Sequence, residues 1–94
     1  MKLYNVQHVN CEQDGYPVFV IRDGKIFRTV HHHMGWSEVP DYEIGTDGKV
    51  YRTEYNRLGQ GGEPDFEFRK DQHLYRTQFH SEGPCAEPIY LLMD

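Results

Sequence analysis

The sequence YEIGTDGKVYRTEY, residues 42–55, has the pattern of a single β-hairpin. Two segments in which apolar and polar residues alternate flank the pair Asp47-Gly48. Asp-Gly between such segments is the strongest short-range hairpin signal, because both central residues of a type I′ turn have positive φ. We therefore predict strands over residues 42–44 and 50–55, joined by a two-residue turn at Asp47-Gly48.

The same pattern recurs with a spacing of 24 residues. DGKIFRT (23–29), DGKVYRT (47–53) and DQHLYRT (71–77) align, and the glycines at 35, 59 and 83 and the prolines at 40, 64 and 88 keep the spacing. Agreement at this many positions indicates an internal repeat of hairpins.

The two ends of the chain complete the pattern. Residues 3–6 resemble a second strand, at an offset of 23 because the first turn is one residue shorter, and residues 88–92 resemble a first strand with no partner after it. We predict that these ends pair as a fourth hairpin. The fold class is all-β: about eight short antiparallel strands in four hairpin repeats, closed into a pseudo-four-fold barrel or flower-like ring, as one domain over residues 1–94.

Alternation along each strand predicts which face is buried. The predicted buried set is Phe19, Ile21, Phe27, Thr29, His31, Tyr42, Ile44, Tyr51, Thr53, Tyr55, Phe66, Phe68, Tyr75, Thr77, Phe79, Tyr90, Leu92, Tyr4, Val6 and His8. On the other face, Glu43 would lie opposite Arg52 and Glu67 opposite Arg76, as cross-strand ion pairs. The linkers over residues 10–16, 32–39, 56–63 and 80–87 would all lie at the end of the hairpins opposite the turns.

Residues 44–51, IGTDGKVY, resemble the Gly-x-x-Asp-Gly-x-Val-Tyr hairpins of the four-fold beta flower domain proteins. Gly45 is replaced by Arg22, Arg69 and Met93 in the other copies, and the third copy lacks the Asp-Gly pair. The resemblance implies an architecture of hairpins around an axis. It implies no activity.

Composition excludes several classes of function. Fifteen acidic against ten basic residues give a formal charge of −5, which argues against nucleic-acid binding through phosphate neutralisation and against a polybasic membrane site. The chain has no apolar run long enough for a transmembrane helix and no visible signal peptide, so we expect a cytoplasmic protein. Cys11 and Cys85 are too few for a disulfide scaffold; they could pair if their linkers are neighbours, but two unpaired cysteines are the simpler expectation.

Six histidines include the run His31-His32-His33. If His31 and His33 share one face of a strand end, they could hold Zn²⁺ or Ni²⁺ together with His8 and His80, since neutral imidazole is a common metal ligand. The alternative is that these side chains occupy aromatic positions at the edge of the core, where Tyr55 and Phe79 stand in other copies.

Arg28, Arg52 and Arg76 occupy equivalent positions, with Asn5 as the fourth. They would either form a site for an anion or acidic peptide, or pair with the carboxylates of their own hairpins. The second interpretation is better supported for Arg52 and Arg76, because only Arg28 lacks a carboxylate opposite it.

Trp36 lies in a linker near Met34, and Arg57 and Leu58 lie in the next linker. These four residues could form a contact patch for a protein partner, or Trp36 could fold back and plug the end of the ring. The acidic linkers favour a basic partner.

No nucleophile with an orienting base is visible, so we predict a non-enzymatic binding module that uses the linker face, and a homo-oligomer is left open. The alternatives are a metal-binding protein and a lectin-like module in which aromatic rings stack on sugars.

Overall fold

The computed structural model describes residues 1–6, 13–69 and 72–93, with the backbone alone for residues 13 and 14. Within these residues eight antiparallel strands form one closed barrel, each paired with its neighbours in chain order. The strands are β1 (Lys2–Val6), β2 (Gln13–Arg22), β3 (Lys25–Arg28), β4 (Tyr42–Ile44), β5 (Lys49–Arg52), β6 (Phe66–Phe68), β7 (His73–Arg76) and β8 (Tyr90–Met93). The described residues contain no helix, and hence no helix that could span a membrane.

The terminal strands close the barrel, as predicted. β1 pairs with β8 from Lys2 opposite Met93 to Asn5 opposite Tyr90. A lone hairpin is marginally stable and exposes unpaired edges, whereas closure gives every strand two partners. The all-β class, the four hairpins and the pairing of the ends are therefore confirmed.

The first and second hairpins have different turns. Arg22 lies opposite Lys25, with Asp23 and Gly24 at φ 52° and 74°, as a two-residue type I′ turn requires. In the second hairpin Ile44 lies opposite Val50, and the Gly48 N–H donates to the Gly45 carbonyl at 3.1 Å. That loop is a type I turn over Thr46 and Asp47 followed by Gly48 at φ 77°.

The predicted two-residue turn at Asp47-Gly48 is therefore wrong by one residue. The second hairpin has one residue more between its strands than the first, and the extra residue enters the loop. The Asp47 carboxylate stabilises this loop, because it accepts the Lys49 N–H at 3.0 Å and the Tyr51 hydroxyl at 2.6 Å.

A register change of one residue moves a whole strand to its opposite face. Val50, fully buried, points into the barrel, and Tyr51 lies outside against Asp47. Phe27 is also outside, under the Arg22 guanidinium at 4.3 Å, because Ile21 pairs with Ile26. The predicted buried face is correct for the first strand of each hairpin and wrong for these second-strand aromatics.

The centre of the core is one set of equivalent residues, one from the second strand of each hairpin. Leu3, Ile26, Val50 and Leu74 are at most 1% exposed, and burying each contributes roughly 1.5–3 kcal/mol. First-strand side chains pack around them: Phe19, Ile21, Tyr42, Ile44, Phe66, Phe68, Tyr90 and Leu92. One predicted linker is shorter than expected, because β2 begins at Gln13.

Candidate functional site

Four aromatic rings form a closed circle inside the barrel towards the end where the linkers lie, which we call the linker end. Phe19, Tyr42, Phe66 and Tyr90, here called the aromatic quartet, each contact two neighbours. Their centroids are 6.2, 5.5, 5.9 and 5.5 Å apart around the circle, with interplanar angles of 66–86°. Edge-to-face contact is a favourable geometry for aromatic pairs, so the quartet is a rigid floor.

Threonines fix the start of the three described linkers. The hydroxyls of Thr29, Thr53 and Thr77 donate to the carbonyl oxygens of Pro17, Pro40 and Pro64 respectively. Each hydroxyl also accepts the backbone N–H two residues further on, at 3.1–3.2 Å. Each threonine thus ties the strand end to the preceding connection and starts the next turn.

The next turn of each linker is held by a side chain that accepts a backbone N–H. His32 Nδ1 accepts from Met34, Asn56 Oδ1 from Leu58 and His80 Nδ1 from Glu82, all at 3.0 Å. These residues are also spaced by 24. The imidazole of His32 and of His80 accepts the backbone N–H two residues further on, as an Asp or Asn side chain does in an Asx turn.

The hydrogen bond to Nδ1 fixes the tautomer of both histidines. A nitrogen that accepts an N–H cannot carry a proton itself, so in the neutral ring the proton is on Nε2. His32 and His80 therefore offer the cavity a donor and no free lone pair.

Each inward arginine meets an acidic residue that was not predicted as its partner. Arg28 Nε lies 3.4 Å from Asp41 Oδ2, Arg52 Nε lies 3.7 Å from Asp65 Oδ2, and Arg76 Nη1 lies 3.5 Å from Glu82 Oε2. The predicted pairs Glu43–Arg52 and Glu67–Arg76 are wrong, since Arg52 lies opposite Tyr42 and Arg76 opposite Phe66. Among the described residues, Arg28 Nε and Arg52 Nε make no hydrogen bond, so those two contacts are electrostatic.

A cavity of about 240 Å³ lies above the quartet. All four quartet rings contribute to it, and it is open among the linkers. Its other lining residues are Arg28, His32, His33, Met34, Asp41, Tyr55, Asn56, Arg57, Leu58, Asp65, His80, Ser81 and Glu82.

Burial keeps two histidines and two tyrosines of this cavity neutral. It lowers the pKa of His32 to about 4, with help from His33 and Arg28, and it lowers the pKa of His80. Burial raises the pKa of Tyr90 to about 12, and it raises the pKa of Tyr42 as well. Near neutral pH both imidazoles are uncharged and both phenols are protonated.

Three of the four predicted contact residues line the cavity, and one does not. Met34 (38% exposed), Leu58 (57% exposed) and Arg57 lie around its mouth. Trp36 is 63% exposed and is not among the lining residues, so it does not plug the barrel.

The histidines predicted as metal ligands are engaged separately. His31 stacks on Tyr16 at 4.6 Å, His33 stacks on His32 at 4.4 Å, and His80 lies against Phe66 at 5.1 Å. They lie in turns beyond the end of β3 or β7, and the described part of the chain holds no group of three His, Cys, Asp or Glu side chains that could bind a metal ion. His8 and Cys11 lie outside the described residues. Cys85 Sγ accepts the Arg76 N–H at 3.2 Å.

The aromatic quartet and the three turn-holding side chains were not predicted as a site. The signal was present, because residues 42, 66 and 90 and residues 32, 56 and 80 follow the 24-residue spacing. Only the closed barrel shows that the aromatic quartet forms a floor beneath the turn-holding residues His32, Asn56 and His80.

No protein-family model, curated protein or solved structure matches this chain. The resemblance to the four-fold beta flower proteins therefore stays a prediction.

Proposed function

We propose that this chain is a non-enzymatic binding module that presents its linker end to a basic segment of a protein partner. The observation that carries the proposal is the distribution of charge. Residues 28–41, 52–65 and 76–89 lead from the end of the second strand of one hairpin to the first strand of the next, and acidic residues outnumber arginines and lysines in them by seven to four. Three of the acidic residues, Asp41, Asp65 and Glu82, lie against Arg28, Arg52 and Arg76. The other residues of these two kinds are Glu38, Glu54, Glu63, Glu87 and Arg57.

The opposite end of the barrel has no such acidic excess among the described residues. Arg22, Lys25, Lys49 and Arg69 are exposed beside the hairpin turns, together with Asp23, Glu43 and Asp47, and Glu67 is half-buried there. A molecule with one acidic end attracts basic partners to that end and orients them before contact.

A protein interface needs apolar contact area in addition to complementary charge, and apolar side chains at the cavity mouth supply it. Met34, Tyr55 and Leu58 are exposed there, within the acidic surround. A small apolar centre with a charged rim is the usual composition of a protein interface, and the centre contributes most of the affinity.

The proposal is tested by site-specific photo-cross-linking in the source cells. A photoreactive residue at Leu58 should capture one defined basic partner, and the same residue at Thr46, in the turn at the other end, should not. Equal capture from both positions would contradict the proposal.

Affinity for the captured partner then tests the electrostatic part. The double variant Glu54→Lys/Glu63→Lys should bind at least tenfold more weakly and with less dependence on salt. Glu43→Lys/Glu67→Lys, on the barrel wall, is the matched control and should bind nearly as the parent does. Affinity that is insensitive to both salt and the linker charges would rule out a basic partner.

A further inference from the structure

We infer that the cavity above the aromatic quartet is a binding site for one neutral, polyhydroxylated ring, such as a monosaccharide or a cyclic polyol. This goes beyond the proposed protein contact and is independent of it, because it concerns the interior of the cavity and not its rim.

The mixed charge of the cavity lining disfavours a charged ligand. Asp41, Asp65 and Glu82 line the cavity, but each lies 3.4–3.7 Å from a guanidinium nitrogen of Arg28, Arg52 or Arg76. The lining histidines His32 and His80 are neutral near pH 7, because burial lowers their pKa values. Both signs of charge line the cavity, with the carboxylates of Asp41, Asp65 and Glu82 and the guanidinium groups of Arg28 and Arg57. Neither an anion nor a cation would meet a purely complementary lining, so a neutral ligand is favoured.

The hydrogen-bonding groups match hydroxyls. His32 and His80 each offer an Nε2–H, because Nδ1 of each is occupied by a backbone N–H. Tyr42, whose hydroxyl is also hydrogen-bonded to the Asn56 side chain, and Tyr90 offer protonated hydroxyls, and Asp41 and Asp65 offer acceptor oxygens. A sugar hydroxyl both donates and accepts, so a ring with several hydroxyls can satisfy both kinds of group at once.

The size and floor of the cavity limit the ligand to a single ring. The volume of about 240 Å³ is below the range of roughly 300–1,000 Å³ that holds drug-sized molecules. The aromatic floor offers apolar contact to the C–H groups of such a ring, while the polar groups around it fix the orientation.

The test is titration with free hexoses and myo-inositol at millimolar concentration, followed by NMR of the histidine side chains. We expect saturable shifts at His32 and His80 Nε2, with the proton retained on Nε2. Acetate and trimethylammonium, as charged probes, should cause no saturable shift.

Two variants remove one donor each and keep the fold. Tyr42→Phe keeps the quartet ring, and His80→Asn keeps the turn, because Asn56 makes the equivalent bond to Leu58. Each should weaken binding about tenfold, the value of one hydrogen bond of about 1.4 kcal/mol. The matched control is Tyr51→Phe, whose hydroxyl bonds Asp47 at the other end of the barrel, and its affinity should be unchanged.

The ring could come from a free small molecule or from the terminal residue of a glycan, and binding to a glycan array separates these two sources. Binding of free sugars alone indicates a free small molecule, and tighter binding of glycans indicates the terminal residue of a glycan. Both results agree with the inference. Absence of saturable shifts with every neutral ring, preference for a charged probe, or equal weakening by Tyr51→Phe would each overturn it.

Discussion

Single side chains decide the geometry of the linker end. His32, Asn56 and His80 hold the same turn in three linkers, and two of them do so through an imidazole nitrogen that must stay unprotonated. Protonation of Nδ1 would replace an acceptor with a donor facing a backbone N–H. Stability of the linker end should therefore depend on pH through these histidines.

The pKa of His32 is about 4 in the folded protein, against 6.5 in the unfolded chain. Because the folded value is the lower one, the unfolded state takes up the proton first, and stability present above pH 6.5 is lost as the pH falls towards 4. The pKa of His80 is also lowered, which adds to the loss in the same direction. We expect Tm to fall steadily between pH 7 and pH 4.5.

The double variant His32→Asn/His80→Asn provides the control for this pH dependence. Asparagine keeps the turn and does not titrate, so Tm of the variant should vary much less over the same range. A parent and a variant with equal slopes would show that other groups cause the loss, such as carboxylates protonated in the unfolding transition.

At the scale of elements, the turns set the register and the linkers depend on threonine anchors. Gly48 and Gln72 are the equivalent last residues of the loops in the second and third hairpins, with φ of 77° and 63°. This left-handed conformation suits glycine and strains other residues. The same position should therefore respond in opposite directions to substitution in the two hairpins.

Gly48→Val should lower the free energy of unfolding by roughly 1–3 kcal/mol, because a β-branched residue is strained at positive φ. Gln72→Gly should raise it by up to about 1 kcal/mol, because the relief of this strain outweighs the chain entropy that glycine adds to the unfolded state. Urea denaturation of both variants measures the difference. If both variants have the stability of the parent, the loop geometry described above is not that of the folded protein.

Thr53 anchors its linker through two hydrogen bonds in a buried position. Thr53→Val should cost about 1–3 kcal/mol, because the Tyr55 N–H loses its partner while the volume is retained. Thr46→Val, in an exposed turn, is the control and should change stability little. A loss no greater than that of Thr46→Val would mean that solvent replaces the anchor at no cost.

At the scale of the whole molecule, stability depends on closure. β1 and β8 each have two partners, and neither β2 nor β7 would keep both neighbours without them. The four buried residues Leu3, Ile26, Val50 and Leu74 come from four different hairpins, so the centre of the core does not form within one hairpin. Unfolding is expected to be cooperative over the entire barrel.

Deletion of residues 89–94 should abolish the cooperative thermal transition, because it removes β8 and one ring of the quartet. A circular permutant should keep the cooperative thermal transition. Joining Asp94 to Met1 by a short Asn-Gly turn and opening the chain between Asp47 and Gly48 keeps every strand pair, since Lys2 and Met93 are already opposite. A truncated protein that melts as the parent does, or a permutant that fails to fold, would contradict the importance of closure.

The sequence by itself determined the parts of this protein that depend on local chemistry and on its repeat. The spacing of 24 residues, the Asp-Gly turn at residues 23 and 24 and the unpaired character of both ends predicted eight strands and their closure. Alternation also placed Tyr42 and Phe66 correctly, because it depends only on the pleat of their own strand.

Tertiary structure decided the features that depend on distant residues or on one extra loop residue. Tyr51 was assigned to the core because alternation within a strand does not show where the turn is centred, and the pairing of Ile44 with Val50 places the extra residue of this hairpin in a three-residue loop. The partner of Arg28 is Asp41, on the next hairpin. The quartet floor, the fixed tautomers of His32 and His80 and the cavity between them exist only because closure brings four separated segments around one axis.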